Sequence, residues 1–411
     1  MSSGTILDYY KYALLATAAY VRTGGSTDPA NFVRAASTAQ ANRLPLELGQ
    51  YLFDPQNRYR NPVWNVLHYY GGDVPASQDP IAAQDKTGFA ATLFERGGEK
   101  VLALRGTEPR EDGGVDLWQA ALAAIGLLGM SFPQAVSMVN LILRLAAPSS
   151  DSQVRQLHIR TSFSPMSSES VVALGTRINE QGHREPVRIY IDLFFSHDGQ
   201  GLGAIGPGER ITVTGHSLGG HLALLAARLF PNLIDPGVVV FNSPGFDPAT
   251  VNFVPFLPTR LVDWLAAAMG PEAALLDPTA HRRTDALVRL FKSADPLLAE
   301  AADSFNEVRV TNLESEDLAP VDDVSLVSSV LSGTQILGPE SFVSTEANSH
   351  VIEPLTDALA LHALLSSMND TLRLSEITRL LEASSPKLET SGSGPLFRCS
   401  RVEGGTCVIA D

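Results

Sequence analysis

Short apolar and β-branched runs, each closed by a turn bearing glycine, proline or serine, mark candidate strands along the chain. Residues 88–94 and 100–104 read as two successive strands, and 211–214 and 238–242 as two more. Residues 307–313 alternate, with Val308, Val310 and Asn312 on one face. Helical spacing is expected over 6–22, from Leu218 to Phe230, over 284–293, and along Leu355, Leu359, Leu361, Leu364 and Leu365. Residues 187–195 stay open between strand and helix: Ile189, Ile191 and Leu193 alternate, yet a helix is also expected before the strand at 211. The serine-rich stretch 146–168 reads mostly as a loop.

The pattern divides the chain in three. Residues 1–85 form a helical, loop-rich N-terminal extension packed on a main domain, with turns at 54–62 and 71–80. Residues 86–383 form the main domain. Residues 384–411 are a Ser, Pro, Gly and Thr linker followed by a tail that carries both cysteines, Cys399 and Cys407. Leu117 to Leu143 carries no formal charge and is long enough for a membrane span. Ser131 and Pro133 break it centrally, and Gln119, Gln134 and Asn140 interrupt it, so two amphipathic helices are expected and no transmembrane span.

The most informative stretch is Gly215-His216-Ser217-Leu218-Gly219-Gly220, where a β-branched run meets an apolar helical pattern without interruption. This is the signature of a nucleophile elbow, a strand-to-helix turn that holds a serine out at the carboxyl end of a sheet. Glycines belong there because a Cβ would strike the neighbouring strand or helix. The expected architecture is an α/β-hydrolase fold, a mostly parallel central sheet flanked by helices.

A serine hydroxyl is a weak nucleophile at neutral pH and needs a base, an orienting acid and oxyanion donors. In this arrangement the triad follows the order Ser, acid, His. Among the histidines at or beyond the elbow, His216 flanks the nucleophile and His221 sits in the first turn of the next helix. His281 lies in a polar run and His362 inside an apolar helical pattern. His350 stands in a polar loop just before a helix that Pro354 can open, which suits a base. For the acid, Asp317 falls just past the strand at 307–313; Asp295 is its rival, and Asp303, Asp322 and Asp323 are further candidates. Leu218 supplies one oxyanion N–H, and Thr107, at the end of the apolar strand 100–104, supplies the other.

These residues together resemble the class 3, fungal-type lipases. The resemblance rests on Leu104-Arg105-Gly106-Thr107, on the Gly-His-Ser-Leu-Gly-Gly elbow, on Asp317-Leu318-Ala319-Pro320 and on the late His350. Asn348-Ser349-His350, followed by Leu355-Thr356-Asp357-Ala358-Leu359-Ala360-Leu361, is similar to the lipase domains of large bacterial secreted proteins. The resemblance implies a helical lid at about 111–147, after the Thr107 loop, and an insertion relative to the fungal pattern at about 247–305. It also implies hydrolysis of lipid esters, triacylglycerol foremost, by Ser217, Asp317 and His350 without a cofactor or metal. Phospholipase A1 or short-chain carboxylesterase activity would use the same residues, and a catalytically inactive lipid-binding module is the reading of another class. The expected partner is a lipid ester at a lipid–water interface.

Composition changes this picture little. In 411 residues, 44% are hydrophobic and 18% charged, as in an ordered globular protein. The net charge of −15 argues against nucleic acid as a partner. Residues 1–8 lack the basic and apolar regions of a signal peptide, while the bacterial resemblance implies a secreted rather than a cytoplasmic protein.

Overall fold

The computed structural model describes residues 5–33, 44, 46–54, 56, 63–106, 125, 130–248, 283–315, 334–335, 340–343, 352–369, 371–377, 379, 399–403 and 406–409. Its strands are β1 (Asn65–Tyr70), β2 (Ala91–Arg96), β3 (Glu99–Leu104), β4 (Val154–Ser162), β5 (Val171–Ile178), β6 (Arg184–Gly199), β7 (Thr212–His216), β8 (Gly237–Phe241), β9 (Phe246–Pro248), β10 (Arg309–Ser315), β11 (Thr334–Gln335), β12 (Glu340–Val343), β13 (Cys399–Glu403) and β14 (Thr406–Ile409). The helices are α1 (Ile6–Ala18), α2 (Leu46–Phe53), α3 (Pro80–Gln84), α4 (Phe132–Ala146), α5 (Leu218–Leu229), α6 (Arg283–Ala294) and α7 (Ile352–Met368).

Seven strands form the central sheet in the order β1-β2-β3-β7-β8-β10-β12. The first three make an antiparallel meander, and from β3 onward every pair is parallel. The fold is therefore α/β, with a mostly parallel sheet and helices on both faces. Period-two alternation sorts the side chains between the faces. Leu102, Leu104, Val213, Val238 and Val240 pack on one face with α4, α5 and α6. Val239, Phe241 and Leu313 turn to the other face, against α1 and α7. Val101 and Ala103 share that side with Phe94, Trp64 and the first helical segments. Each large side chain so buried holds the layers together by about 2–5 kcal/mol against truncation to alanine.

The N-terminal segment is tied into this core. A capping box starts α1, with Thr5 Oγ1 accepting from the Asp8 N–H at 3.2 Å and Asp8 Oδ2 accepting from the Thr5 N–H at 2.9 Å. Thr17 of α1 is hydrogen-bonded to Thr356 of α7 through their hydroxyls, at 3.0 Å.

Two expectations are corrected and one open reading is resolved. The extension 1–85 is not wholly helix and loop, because β1 within it is the edge strand of the central sheet. The stretch 146–168 is loop over most of its length, as read, but it holds β4, which pairs with β6, which pairs with β5, in a separate antiparallel sheet. The ambiguous 187–195 stretch is strand, inside β6. Serine and arginine are tolerated on the outward face of such a sheet, which is why composition misled. The second half of the expected lid, about 111–147, is core rather than cover. Met138, Val139, Leu141, Ile142 and Leu145 of α4 are buried in the main cluster. The first half of that segment lies outside the described residues, as does much of the insertion expected at about 247–305; within its described part, Leu287, Val288, Leu290 and Phe291 of α6 are buried. The tail at 384–411 contributes the hairpin β13–β14. Among the described residues, no helix is long and apolar enough to cross a membrane.

Candidate active site

The elbow is built as its sequence requires. Strand β7 runs to His216, and α5 begins at Leu218 with Ser217 as the turn between them. Ser217 has φ 55° and ψ −130°, a backbone conformation that costs a non-glycine residue about 1–3 kcal/mol and persists only where its surroundings enforce it. The enforcement is visible. The Ser217 N–H donates to the Phe241 carbonyl at 2.8 Å, and its own carbonyl accepts from the N–H groups of Gly220 (2.9 Å) and His221 (3.2 Å).

Glycine is obligatory at Gly219, where a Cβ would press into the Leu104 carbonyl oxygen and lie 2.7 Å from the Arg105 carbonyl carbon. Helix α5 therefore starts directly against the exit of β3, the strand that leads to Thr107. The first turn of a helix leaves its N–H groups without intrahelical acceptors. Among the described residues no acceptor is recorded for the Leu218 N–H, which suits a donor aimed at a developing oxyanion.

Around the serine, side chains that the sequence did not single out complete the local packing. The Tyr20 hydroxyl is 2.7 Å from Nδ1 of His216. The same hydroxyl abuts Gly106, where a Cβ would also meet the Ser217 Cβ at 3.1 Å. Thus Tyr20, Gly106 and the elbow converge on one spot. The His216 ring is turned to Tyr20. Nothing in the spacing of the N-terminal segment signals this role for Tyr20.

His221 is fully enclosed one turn below Ser217. Its ring stacks on Phe246 with centroids 4.0 Å apart; Nδ1 donates to the Gly245 carbonyl at 3.1 Å and Nε2 accepts from the Ser131 N–H at 3.4 Å. Burial pushes its pKa down to about 4, so the ring is neutral at pH 7 and joins α5, the start of α4 and the segment after β8. His362 is likewise structural, buried with its Nδ1 on the Ala358 carbonyl at 2.8 Å.

The two neighbouring strand ends carry polar groups toward the same sheet edge. On β10, Asn312 Nδ2 donates to Glu314 Oε1 at 2.7 Å and to the Ser243 carbonyl at 3.4 Å. Glu314 is 2% exposed, a buried carboxylate toward the carboxyl end of β10 that is not among the acids the sequence singles out. Asp295, the rival acid, is committed elsewhere. It caps a short 3₁₀ turn by accepting from the Leu297 N–H at 2.8 Å and pairs with Arg155 at 3.2 Å. Asp303 faces solvent and pairs with Lys292 at 2.6 Å.

Thr107, His281, Asp317, Asp322, Asp323 and His350 lie outside the described residues. The strands that lead to three of them, β3, β10 and β12, are described. Asp317 follows β10 two positions after its last residue, and His350 falls in the sequence between β12 and α7. Parallel strands end at one edge, so the chain leaves β7, β10 and β12 on the side that holds Ser217. Strand β10 stands two places from β7, a separation of about 10 Å. Among the described residues, no cluster of three His, Cys, Asp or Glu is placed to hold a metal ion.

Compared with protein-family models, the chain matches none. A search of curated proteins returns no match either.

Proposed function

We propose that the protein is a serine ester hydrolase of the α/β-hydrolase class acting on lipid esters, with triacylglycerol as the leading substrate. The observation that supports this most is Ser217 at positive φ in a glycine-walled strand-to-helix turn, because that strain serves no packing purpose in an idle loop.

In this reading Ser217 Oγ attacks the acyl carbonyl while the imidazole of His350 takes its proton. Asp317 orients the ring and stabilises the imidazolium. The N–H groups of Leu218 and Thr107 hold the oxyanion of the tetrahedral intermediate. Collapse expels the alcohol, which leaves with the proton from His350, and water then releases the fatty acid by the same steps in reverse. The assignments of His350 and Asp317 draw on chain order and on the exits of β12 and β10; the choice of lipid draws on the resemblance to class 3 lipases.

The test is a hydrolysis panel of p-nitrophenyl esters from short to long acyl chains plus emulsified triacylglycerol, on wild type and Ser217→Ala. Turnover of long chains by wild type alone supports the reading. Turnover of short soluble esters alone makes the protein a carboxylesterase, and no turnover by either reopens the lipid-binding module.

A further inference from the structure

A cavity of about 420 Å³ opens at the other end of the sheet order from β12. It lies between β1, the start of α3, the last turn of α4 and the segment after β6. Strand β1 stands three places from β7 in the sheet, so this cavity is separate from Ser217 by about 14 Å of sheet.

Its polar wall holds His68, Gln78, Asp79, Arg144, Asp198 and Gln200. Arg144 is buried, with Nη2 donating to Asp79 Oδ2 and Nε to the Gln200 carbonyl, both at 2.9 Å. Among the described residues, its Nη1 has no hydrogen-bond partner, and neither does Nε2 of His68. A buried polar group left unpaired is costly, and two together on one cavity wall point to a ligand that satisfies them. Both atoms are shut off from solvent, so a ligand in the cavity reaches them only where the wall opens.

The charges select the ligand class. One guanidinium faces two carboxylates, Asp79 and Asp198. His68 is held neutral at neutral pH, its pKa pushed down to about 4 by burial and by the Arg144 charge. An anion would meet the carboxylates, and a cation would meet Arg144. A neutral molecule rich in hydroxyls suits every group, donating to carboxylate and amide oxygens and accepting from guanidinium and amide N–H groups. Val74 and Leu202 offer an apolar surface for its C–H face. We propose that this cavity binds a neutral polyhydroxylated ligand of monosaccharide size, a sugar or cyclic polyol.

Calorimetric titration of the full chain with D-glucose, N-acetyl-D-glucosamine and myo-inositol, with acetate as an anion, tests this. At least one of the three hydroxylated probes is expected to saturate with a Kd of about 1 mM or tighter. Ile81→Trp, at the half-buried mouth, and Asp198→Ala, on the exposed wall, should each weaken that binding by roughly tenfold or more. Both should leave circular dichroism and ester hydrolysis unchanged. The proposal is overturned if none of the three saturates by about 50 mM, if binding survives both variants, or if acetate alone binds.

Discussion

Tyr20, two residues beyond the first helix, is hydrogen-bonded through its hydroxyl to Nδ1 of His216, the last residue of β7, at 2.7 Å. The N-terminal segment therefore reaches across the sheet edge and fastens the residue beside Ser217. Tyr20→Phe keeps the ring and removes the bond. We expect a loss of about 1 kcal/mol in urea unfolding and a several-fold fall in kcat with KM little changed. A variant with wild-type kcat would show that the contact supports only the fold.

Gly219 lies against the Leu104 carbonyl oxygen. Gly219→Ala must push α5 away from β3, and the expected cost is about 1–3 kcal/mol, read as a lower Tm, with a larger loss of activity than of stability. Equal Tm values for variant and wild type would contradict the close packing described for the elbow.

His221 gives the fold a pH dependence of definite sign. The unfolded chain takes up a proton near the ordinary value of 6.5, whereas burial delays protonation in the folded protein to about 4. The stability this neutral ring permits is complete above 6.5 and is lost as pH falls toward about 4, by an amount on the order of 3 kcal/mol. His68, also held near 4, contributes with the same sign. Urea unfolding at pH 7.5 and 4.5 checks this, and His221→Phe should about halve the difference. An unchanged difference in the variant assigns the effect to other groups.

The candidate acids can be separated by rate. Asp317→Asn is expected to lower kcat by about 10³–10⁴-fold. Asp295→Asn should leave kcat intact and lower stability, because Asp295 caps a turn and pairs with Arg155. Glu314→Gln distinguishes a buried acid that takes part in orientation from one that merely holds Asn312. If Glu314→Gln, and not Asp317→Asn, abolishes turnover, the acid in the triad is Glu314.

Much of this was legible in the chain. The elbow could be read because its glycines, its β-branched strand and its apolar helix are all local and all point to the same turn. Strands β3, β7, β8 and β10 could be read for the same reason, since each is a short apolar run closed by a turn. What escaped was tertiary. Residues 154–162 carry Arg155, His158 and Arg160 on a partly exposed strand, so the apolar signal fell below a loop reading. The α4 segment is amphipathic, a pattern that fits a lid or a packed helix equally, and only its neighbours, which bury it nearly all round, decide. Tyr20 and Glu314 left no trace, because a bond between residues far apart in sequence has no local pattern.

The central claim is that Ser217 is an activated nucleophile, and the most direct measurement is covalent labelling of the native chain by a fluorophosphonate, followed by mass spectrometry of the labelled peptide. The account predicts one adduct on Ser217, formed at pH 7 and absent from heat-unfolded protein and from Ser217→Ala. A native protein that takes up no label, or takes it up elsewhere with Ser217 unmodified, would contradict it.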